Sequence, residues 1–507
     1  MGNNAGYCVV DLRRSDMTNP HIVYIAVPVF SRARLMVGTV AKALTVNAHI
    51  RSTVIIHELK AQQVKTDLQR ALSSAGATEC TDVHFETFQP KEGGDILSSM
   101  SCYAQELKPA FANVLEKRGS ADLIIVDNNV PVSAVADLRA LQPGVKIWCY
   151  FPAEPLALYK YIAPPLLPLS PQELMQRGLQ ILNNPKPTDP EEIWKVIDRS
   201  DGGTMNIPGI GPLYLRELYS ELSKEVVINS LIGGSIPTYD TLVVNVNYDQ
   251  SRETCQELSA LGYKVVPCGM SGAFPIHPVT TAEELPDDPE TAKKVKEYLD
   301  SILRERSVLY ISFGSMHFPP AEQMGDFIDV IMEMDVPVVI AKSVPQHFKS
   351  LETKLEVLVQ SKKGLVINWA PQHAILSHPA TNVMLTHCGW GSITECISYS
   401  VVMIGWPLVG DQPTNAIMVE RSWEIGYHLK QVFQGVNVGK QLYGTDIVVK
   451  GTAEARKEEM RDTLNKALGA DGKKKREKMA ELGDIYQKSI TSSELWLKEA
   501  GFPRSSV

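Results

Sequence analysis

At 507 residues, 44% hydrophobic and 21% charged, the chain is too long for one ordinary domain and has the make-up of a soluble globular protein. Its formal net charge of −8 argues against nucleic acid as a partner, because nucleic-acid binders carry a basic face. Eight cysteines with no CxxC pair are too sparse for a disulfide scaffold or a zinc finger and fit a reducing, cytoplasmic compartment.

The first twenty residues, "MGNNAGYCVVDLRRSDMTNP", lack the apolar core of a signal peptide. No run approaches the roughly 18 apolar residues of a membrane span; contact with a membrane surface stays open. The first predicted element is "HIVYIAVPVF" (21–30), a nearly continuous apolar run that suits a strand buried on both faces. "SRARLMVGTVAKAL" (31–44) follows, with Leu35, Val37, Val40, Ala41 and Leu44 on roughly one helical face. "STVIIHEL" and a helix through "KTDLQRALSSAG" repeat the unit, and "ADLIIVDNN" (121–129) and "VKIWCYF" (145–151) are further buried-type strands. Strand and helix in alternation mean a doubly wound parallel sheet.

Residues 151–235 are rich in Pro, Leu and aromatics and read as loops and short helices lining an apolar cleft. "TLVVNVNY" (241–248) and "YKVVPCG" (263–269) return to the sheet. The stretch 269–291 has Pro, Gly and acid without periodicity, as in a linker. "RSVLYISFGSM" (306–316) opens a second alternating series, continued by "VPVVIAKS", "GLVINWA", "NVMLTHCGW" and "VVMIGWP". The tail from about 452 is charged and helical, and its basic run "DGKKKREKM" (471–479) reads as a solvated face. The expectation is an α/β protein with two doubly wound, Rossmann-like domains facing a cleft. Residues 1–268 form the first domain, 269–300 a linker and 301–485 the second; 486–507 are a helix packing back toward the first. No partner motif stands out, so a monomer is expected. Ligands bind beyond the carboxyl ends of parallel strands, so both sheets should open onto that cleft.

The second domain carries the chemistry. "LYISFGSM" ends a strand in Gly314 and Ser315, where backbone can come close to a ligand and a hydroxyl can donate. In "THCGWGSITEC" (386–396) a strand runs through Gly389 and Gly391 into a helix that Ser392 could cap. Unpaired N–H groups and the positive end of the helix dipole make that turn a phosphate seat, to which His387 can add a hydrogen bond. Glu395 lies one helical turn on, where a carboxylate suits ribose hydroxyls. Upstream, Trp369 offers a flat face to a base, next to Ala370, and Gln372 offers a donor and an acceptor. Downstream, Asp411 and Gln412 pair a carboxylate with an amide, as vicinal sugar hydroxyls need.

Together, "WAPQ", "LSHPA", "THCGW", "GS", "E" and "DQPTN", from Trp369 to Gln412, resemble the signature box of UDP-sugar-dependent glycosyltransferases of the GT-B fold. The chain is similar, over essentially its whole length, to the soluble plant and fungal members of glycosyltransferase family 1. The resemblance implies that Trp369 stacks on uracil while Gln372 and Glu395 hold the ribose. It implies that His387, the backbone at Gly391, Ser392, Gly314 and Ser315 hold the diphosphate, and that Trp390, Asp411 and Gln412 reach the sugar. It implies no metal, and no Asp-x-Asp stands at a strand end. Plant members usually have Asn where this chain has Gly391.

The same resemblance implies an inverting enzyme whose base is a His in the first strand–helix loop. Aligning "AKAL" (41–44) puts Ala33 there, and a slip of a residue or two finds only Ser31, Arg32 and Arg34. The family's partner acid matches Asp127. Three readings stay open: Asp127 is the base, directly or through a water; the acceptor ionises with little help; or His57 or His84 serves. The expected activity moves a sugar, glucose or xylose before others, from a UDP-sugar to a hydroxyl of a small lipophilic acceptor such as a terpenoid or phenol. The alternative is a UDP-sugar-binding protein impaired in turnover.

Overall fold

The computed structural model describes residues 19–27, 29–74, 82–88, 96–162, 204–218, 239, 241–270, 280–284, 288–314, 317–343, 345–487 and 490–502. The expected features at Ser315, at 163–203 and at 271–279 lie outside the described residues. The first sheet holds β1 (His21–Ile25), β2 (Arg51–His57), β3 (Asp82–Phe88), β4 (Leu123–Asp127), β5 (Lys146–Phe151), β8 (Thr241–Val244) and β9 (Lys264–Pro267), in the order β3-β2-β1-β4-β5-β8-β9. A separate hairpin pairs β6 (Thr204–Ile207) with β7 (Gly211–Tyr214). The second sheet holds β10 (Val308–Ser312), β11 (Val338–Ala341), β12 (Gly364–Ile367), β13 (Thr381–Thr386), β14 (Val402–Gly405) and β15 (Gly426–His428), in the order β12-β11-β10-β13-β14-β15. Within both sheets every described pairing is parallel.

Helices cross between the strands. In the first domain they are α1 (Phe30–Val46), α2 (Glu58–Ser74), α3 (Ile96–Arg118), α4 (Val132–Leu141), α5 (Leu156–Ile162) and α6 (Arg252–Ala260). In the second they are α7 (Pro289–Asp300), α8 (Ala321–Glu333), α9 (Glu352–Gln360), α10 (Gln372–Ser377), α11 (Trp390–Tyr399), α12 (Gln412–Ile417), α13 (Ala453–Leu468) and α14 (Ala470–Gln487), with α15 (Ile490–Ala500) at the end. Strands such as β1 and β10 are buried at every residue because helices cover both faces. One apolar cluster runs from Val23, Ile124 and Val244 of the first sheet to Tyr310, Met384 and Met403 of the second. It joins the two domains into one packed body.

Three elements differ from expectation. β3 escaped notice because "DVHFETF" is mostly half-buried at a sheet edge and carries polar residues at alternate positions. β15 is only three residues long. Residues 289–300 are not free linker. In α7, Val295 and Leu299 enter the core, and Tyr298 donates to the Lys363 carbonyl at 2.6 Å while accepting the Val338 amide at 3.1 Å. At the other end of the chain, α15 lies on the first domain. Trp496 and Leu497 are fully buried in the cluster that holds Ile22, Tyr24 and Val40, and Ser493 donates to the Cys268 carbonyl at 3.2 Å.

Candidate functional site

Each sheet has a switch point. β1 pairs with β2 on one side and β4 on the other, and β10 pairs likewise with β11 and β13. The chain leaves these neighbours in opposite directions, so a crevice opens beyond their carboxyl ends. The loops after β10 and β13 carry Gly314 and His387. The start of α1, just after β1, carries Arg32 and Arg34, and the end of β4 carries Asp127.

β10 and β13 end level, with Ser312 opposite Thr386. Gly314 then takes a φ of 73°, in the left-handed region. The His387 ring lies between two glycines. A Cβ on Gly314 would stand 3.1 Å from the ring, and one on Gly389 only 2.4 Å from Nε2. Burial, helped by the nearby His317 and opposed by the Ser312 backbone, pushes His387 down to about 4. The ring is therefore neutral at physiological pH and can donate a hydrogen bond without bringing a charge.

The helix α11 starts at Trp390 with Gly389 as its N-cap, and among the described residues no side chain caps it. Ser392 lies inside the first turn, so the expectation that it caps this helix is corrected. The first-turn amides of Trp390, Gly391 and Ser392 are left to point out of the helix end. A Cβ on Gly391 would meet nothing within 4 Å among the described residues. Packing therefore does not require glycine there.

The nucleoside end is more tightly drawn. Trp369 follows β12 and is 44% exposed, with a face free to stack; Ala370 packs against the core beside it. Gln372 opens α10. It donates to Glu395 Oε2 at 2.5 Å and accepts from the Tyr310 hydroxyl at 2.9 Å. Glu395 is 3% exposed. Burial pushes its carboxyl up, while Arg34 and Gln372 pull it back.

At the sugar end, Gln412 Oε1 accepts the amides of Leu408 and Val409, both at 2.8 Å. Asp411 accepts from Asn415 at 2.6 Å, and Asn415 also donates to the Cys388 carbonyl at 3.0 Å. Asn415 thus ties this loop to the phosphate turn. Trp390 is placed otherwise than expected. Its indole is buried against Trp423 and donates to the Asn245 carbonyl and Oδ1 at 3.1 and 3.2 Å, so the side chain faces the first domain rather than a sugar.

Across the cleft, Asp127 ends β4 and is 1% exposed. Arg32 grips it with Nη2 on Oδ1 at 2.8 Å and Nε on Oδ2 at 3.1 Å, and the Asn129 amide donates to Oδ1 at 2.9 Å. Both carboxylate oxygens are engaged, by a cation that stands one residue before the expected base position. Ala33 itself is buried in α1. His57 sits at the carboxyl end of β2, fully buried, and its Nε2 has no hydrogen-bond partner among the described residues. His84 lies within β3 against Glu86, at 3.2 Å, away from the strand ends. Among the described residues, no group of three or more His, Cys, Asp or Glu is placed to hold a metal ion, and no helix is long and apolar enough to cross a membrane. A separate cavity of about 470 Å³, lined by Glu154, Ser251, Arg252 and Trp423 among others, contains none of the site residues.

Sequence reasoning missed Tyr310, Asn245, Asn415 and the role of Arg34. Their partners are 62, 145, 27 and 361 residues away, and nothing in local spacing signals such pairs.

Residues 270–431 match the model of the UDP-glucuronosyl and UDP-glucosyl transferase family. An anthocyanidin 3-O-galactosyltransferase from Actinidia chinensis is 30% identical over 44% of this chain and 48% of its own length. The UDP-glycosyltransferase eriJ of Hericium erinaceus is 26% identical over 89% of this chain and 91% of its own. The chain spans about half or less of the first curated relatives it matches, at 48%, 29% and 24% of their lengths. In fold it superposes on a transferase from Siraitia grosvenorii solved with UDP, with a TM-score of 0.66 and 17% identity over 95% of this chain and 99% of that one.

Proposed function

We propose that this chain, which belongs to the UDP-glycosyltransferase family through residues 270–431 and its GT-B fold, moves a sugar from a UDP-sugar to a hydroxyl of a small lipophilic acceptor. The observation that carries the reading is the uncapped turn after β13. It sets amides and a neutral imidazole beside Gly314, and Trp369, Gln372 and Glu395 lie on the same side. These groups suit a nucleoside diphosphate from end to end. The diphosphate rests on the amides of residues 390–392 and on His387, with Ser315 as a further donor. Uracil stacks on Trp369, and the ribose diol meets Gln372 and Glu395. Asp411 and Gln412 read the sugar, for which glucose or xylose comes first. The acceptor is a terpenoid or phenol, in keeping with relatives named for anthocyanidins and for a mogroside.

The acceptor oxygen attacks the anomeric carbon from the face opposite UDP, and the bond to the β-phosphate oxygen breaks. That oxygen keeps the electron pair, and its growing charge falls on donors already in place. The acceptor's proton has two routes. Asp127 can take it if Arg32 swings away, or water can take it while the Arg32 guanidinium favours the acceptor anion. The ion pair favours the second route, in which Asp127 is the residue that holds Arg32 in position.

The test is product formation from a panel of UDP-sugars and phenols of graded acidity, read by mass spectrometry, with wild type and Asp127→Asn. If Asp127 is the base, the variant loses about 10²–10⁴-fold. If the acceptor ionises by itself, rates rise with phenol acidity and the variant loses far less. The buried Ala33 and the engaged Asp127 also favour a second reading, a UDP-sugar binder without turnover. Tight UDP binding with no product from any pair, hydroxylated terpenoids included, would favour that one.

A further inference from the structure

We propose that Arg34 is a positioning residue for the ribose-binding carboxylate Glu395, supplied from the opposite domain. The inference rests on the donor-site reading above. Arg34 belongs to α1, yet its Nη1 donates to Glu395 Oε1 at 2.8 Å across a sequence separation of 361 residues. Its Nη2 touches His373 Nε2, and its Nε faces Asp67 Oδ2 at 3.7 Å. Burial works against its charge, but Glu395, Asp67 and Glu284 together keep Arg34 protonated.

The surroundings hold this contact in place. Glu284, on the short helix Thr281–Glu284, accepts the amides of His373 and Ala374 at 3.2 and 2.7 Å and so fixes the start of α10. His373 Nδ1 meets the Tyr399 hydroxyl at 3.1 Å. Burial, then Arg34, holds His373 well below its ordinary range, so the ring stays neutral beside the guanidinium. Glu395 therefore sits in a frame built from α1, α2, α10 and α11.

An ionised carboxylate offers about four acceptor positions. Arg34 takes one on Oε1, and Gln372 takes one on Oε2. Two remain for the two hydroxyls of a ribose. Without Arg34, a carboxyl this buried gains a proton and a free torsion. It then offers a donor where the diol needs an acceptor. The domain that receives the acceptor would thus also set the affinity for the nucleotide.

The test is calorimetric titration of wild type, Arg34→Gln, Arg34→Lys and Glu395→Gln with UDP and with 2′-deoxy-UDP. Wild type should bind UDP about tenfold more tightly than the deoxy form, the weight of a hydrogen bond to a charged group. Arg34→Gln and Glu395→Gln should bring that ratio close to one, with 2′-deoxy-UDP, which has only its 3′-hydroxyl to lose from Glu395, weakened less than UDP. Arg34→Lys should be intermediate, because its ammonium keeps the charge but lacks the planar fork. A merely structural arginine would weaken both ligands alike. Full discrimination retained in Arg34→Gln, or tighter UDP binding there, overturns the proposal. If Arg34→Gln does not fold, an unchanged ratio in Arg34→Lys overturns it instead. Failure of wild type to bind UDP at all would strike the donor-site reading rather than Arg34.

Discussion

Gly389→Ala gives a clean perturbation of the phosphate seat. Gly389 has φ −63° and ψ 144°, which alanine adopts without strain. The new methyl group would stand 2.4 Å from His387 Nε2 and 3.1 Å from Cδ2, against an ordinary contact of about 3.5–4 Å. The ring must move by roughly 1 Å, a displacement large enough to break a directed hydrogen bond. A hydrogen bond to a charged acceptor contributes about 1.5–3 kcal/mol, so UDP affinity should fall about 10- to 150-fold. The assay is calorimetric UDP titration of wild type, Gly389→Ala, His387→Ala and the double variant. Each single variant should lose a similar amount, and the double should lose little more than either, because the methyl group then has no ring to displace. Additive losses would refute the steric argument. An unchanged affinity in His387→Ala would remove the ring from the site.

Four further outcomes follow from the same coordinates. Trp369→Ala should weaken UDP by about 1–3 kcal/mol, the usual weight of a stacked base, and barely move the melting temperature, since the ring is 44% exposed; calorimetry and thermal denaturation read the two effects apart. Gly391→Asn should fold normally, because its Cβ enters open space, and UDP affinity should stay the same or rise; a fall in melting temperature of several degrees would contradict this. Trp496→Ala should destabilise the protein by about 3–5 kcal/mol, since the ring is fully buried against the first domain; denaturant unfolding measures it. The imidazole of His387 is held down at about 4, so between pH 6.5 and 4 the unfolded chain binds a proton that the folded one excludes. That share of stability is complete above pH 6.5 and is lost as pH falls through the window, at most about 2 kcal/mol by pH 5. His387→Asn should therefore lose less stability than wild type between pH 7 and 5, as read by melting temperature.

The elements most legible from sequence were those whose burial is complete. β1, β4 and β10 are apolar at nearly every position because helices cover both faces, so a continuous run announces them. The turn "THCGWGSITEC" was legible for a different reason. The His387 ring packs where a Cβ on Gly389 would stand, and glycine records that close approach in the sequence itself. Edge strands carry no such mark: β3 is half-buried and β15 is three residues long. Pairings between distant segments were also hidden. Arg32 and Arg34 were visible where a base was sought, but what each one holds is decided 95 and 361 residues away. Trp390 shows the same limit. Its place in the motif suggests a ligand contact, while its side chain serves the contact with Asn245 of the other domain.

The most direct measurement is a crystal structure of the UDP complex. The account requires the diphosphate within hydrogen-bond distance of the amides of residues 390–392 and of His387, uracil flat on Trp369, and the ribose hydroxyls on Glu395. UDP seated elsewhere, or with its phosphates turned away from the start of α11, would contradict it.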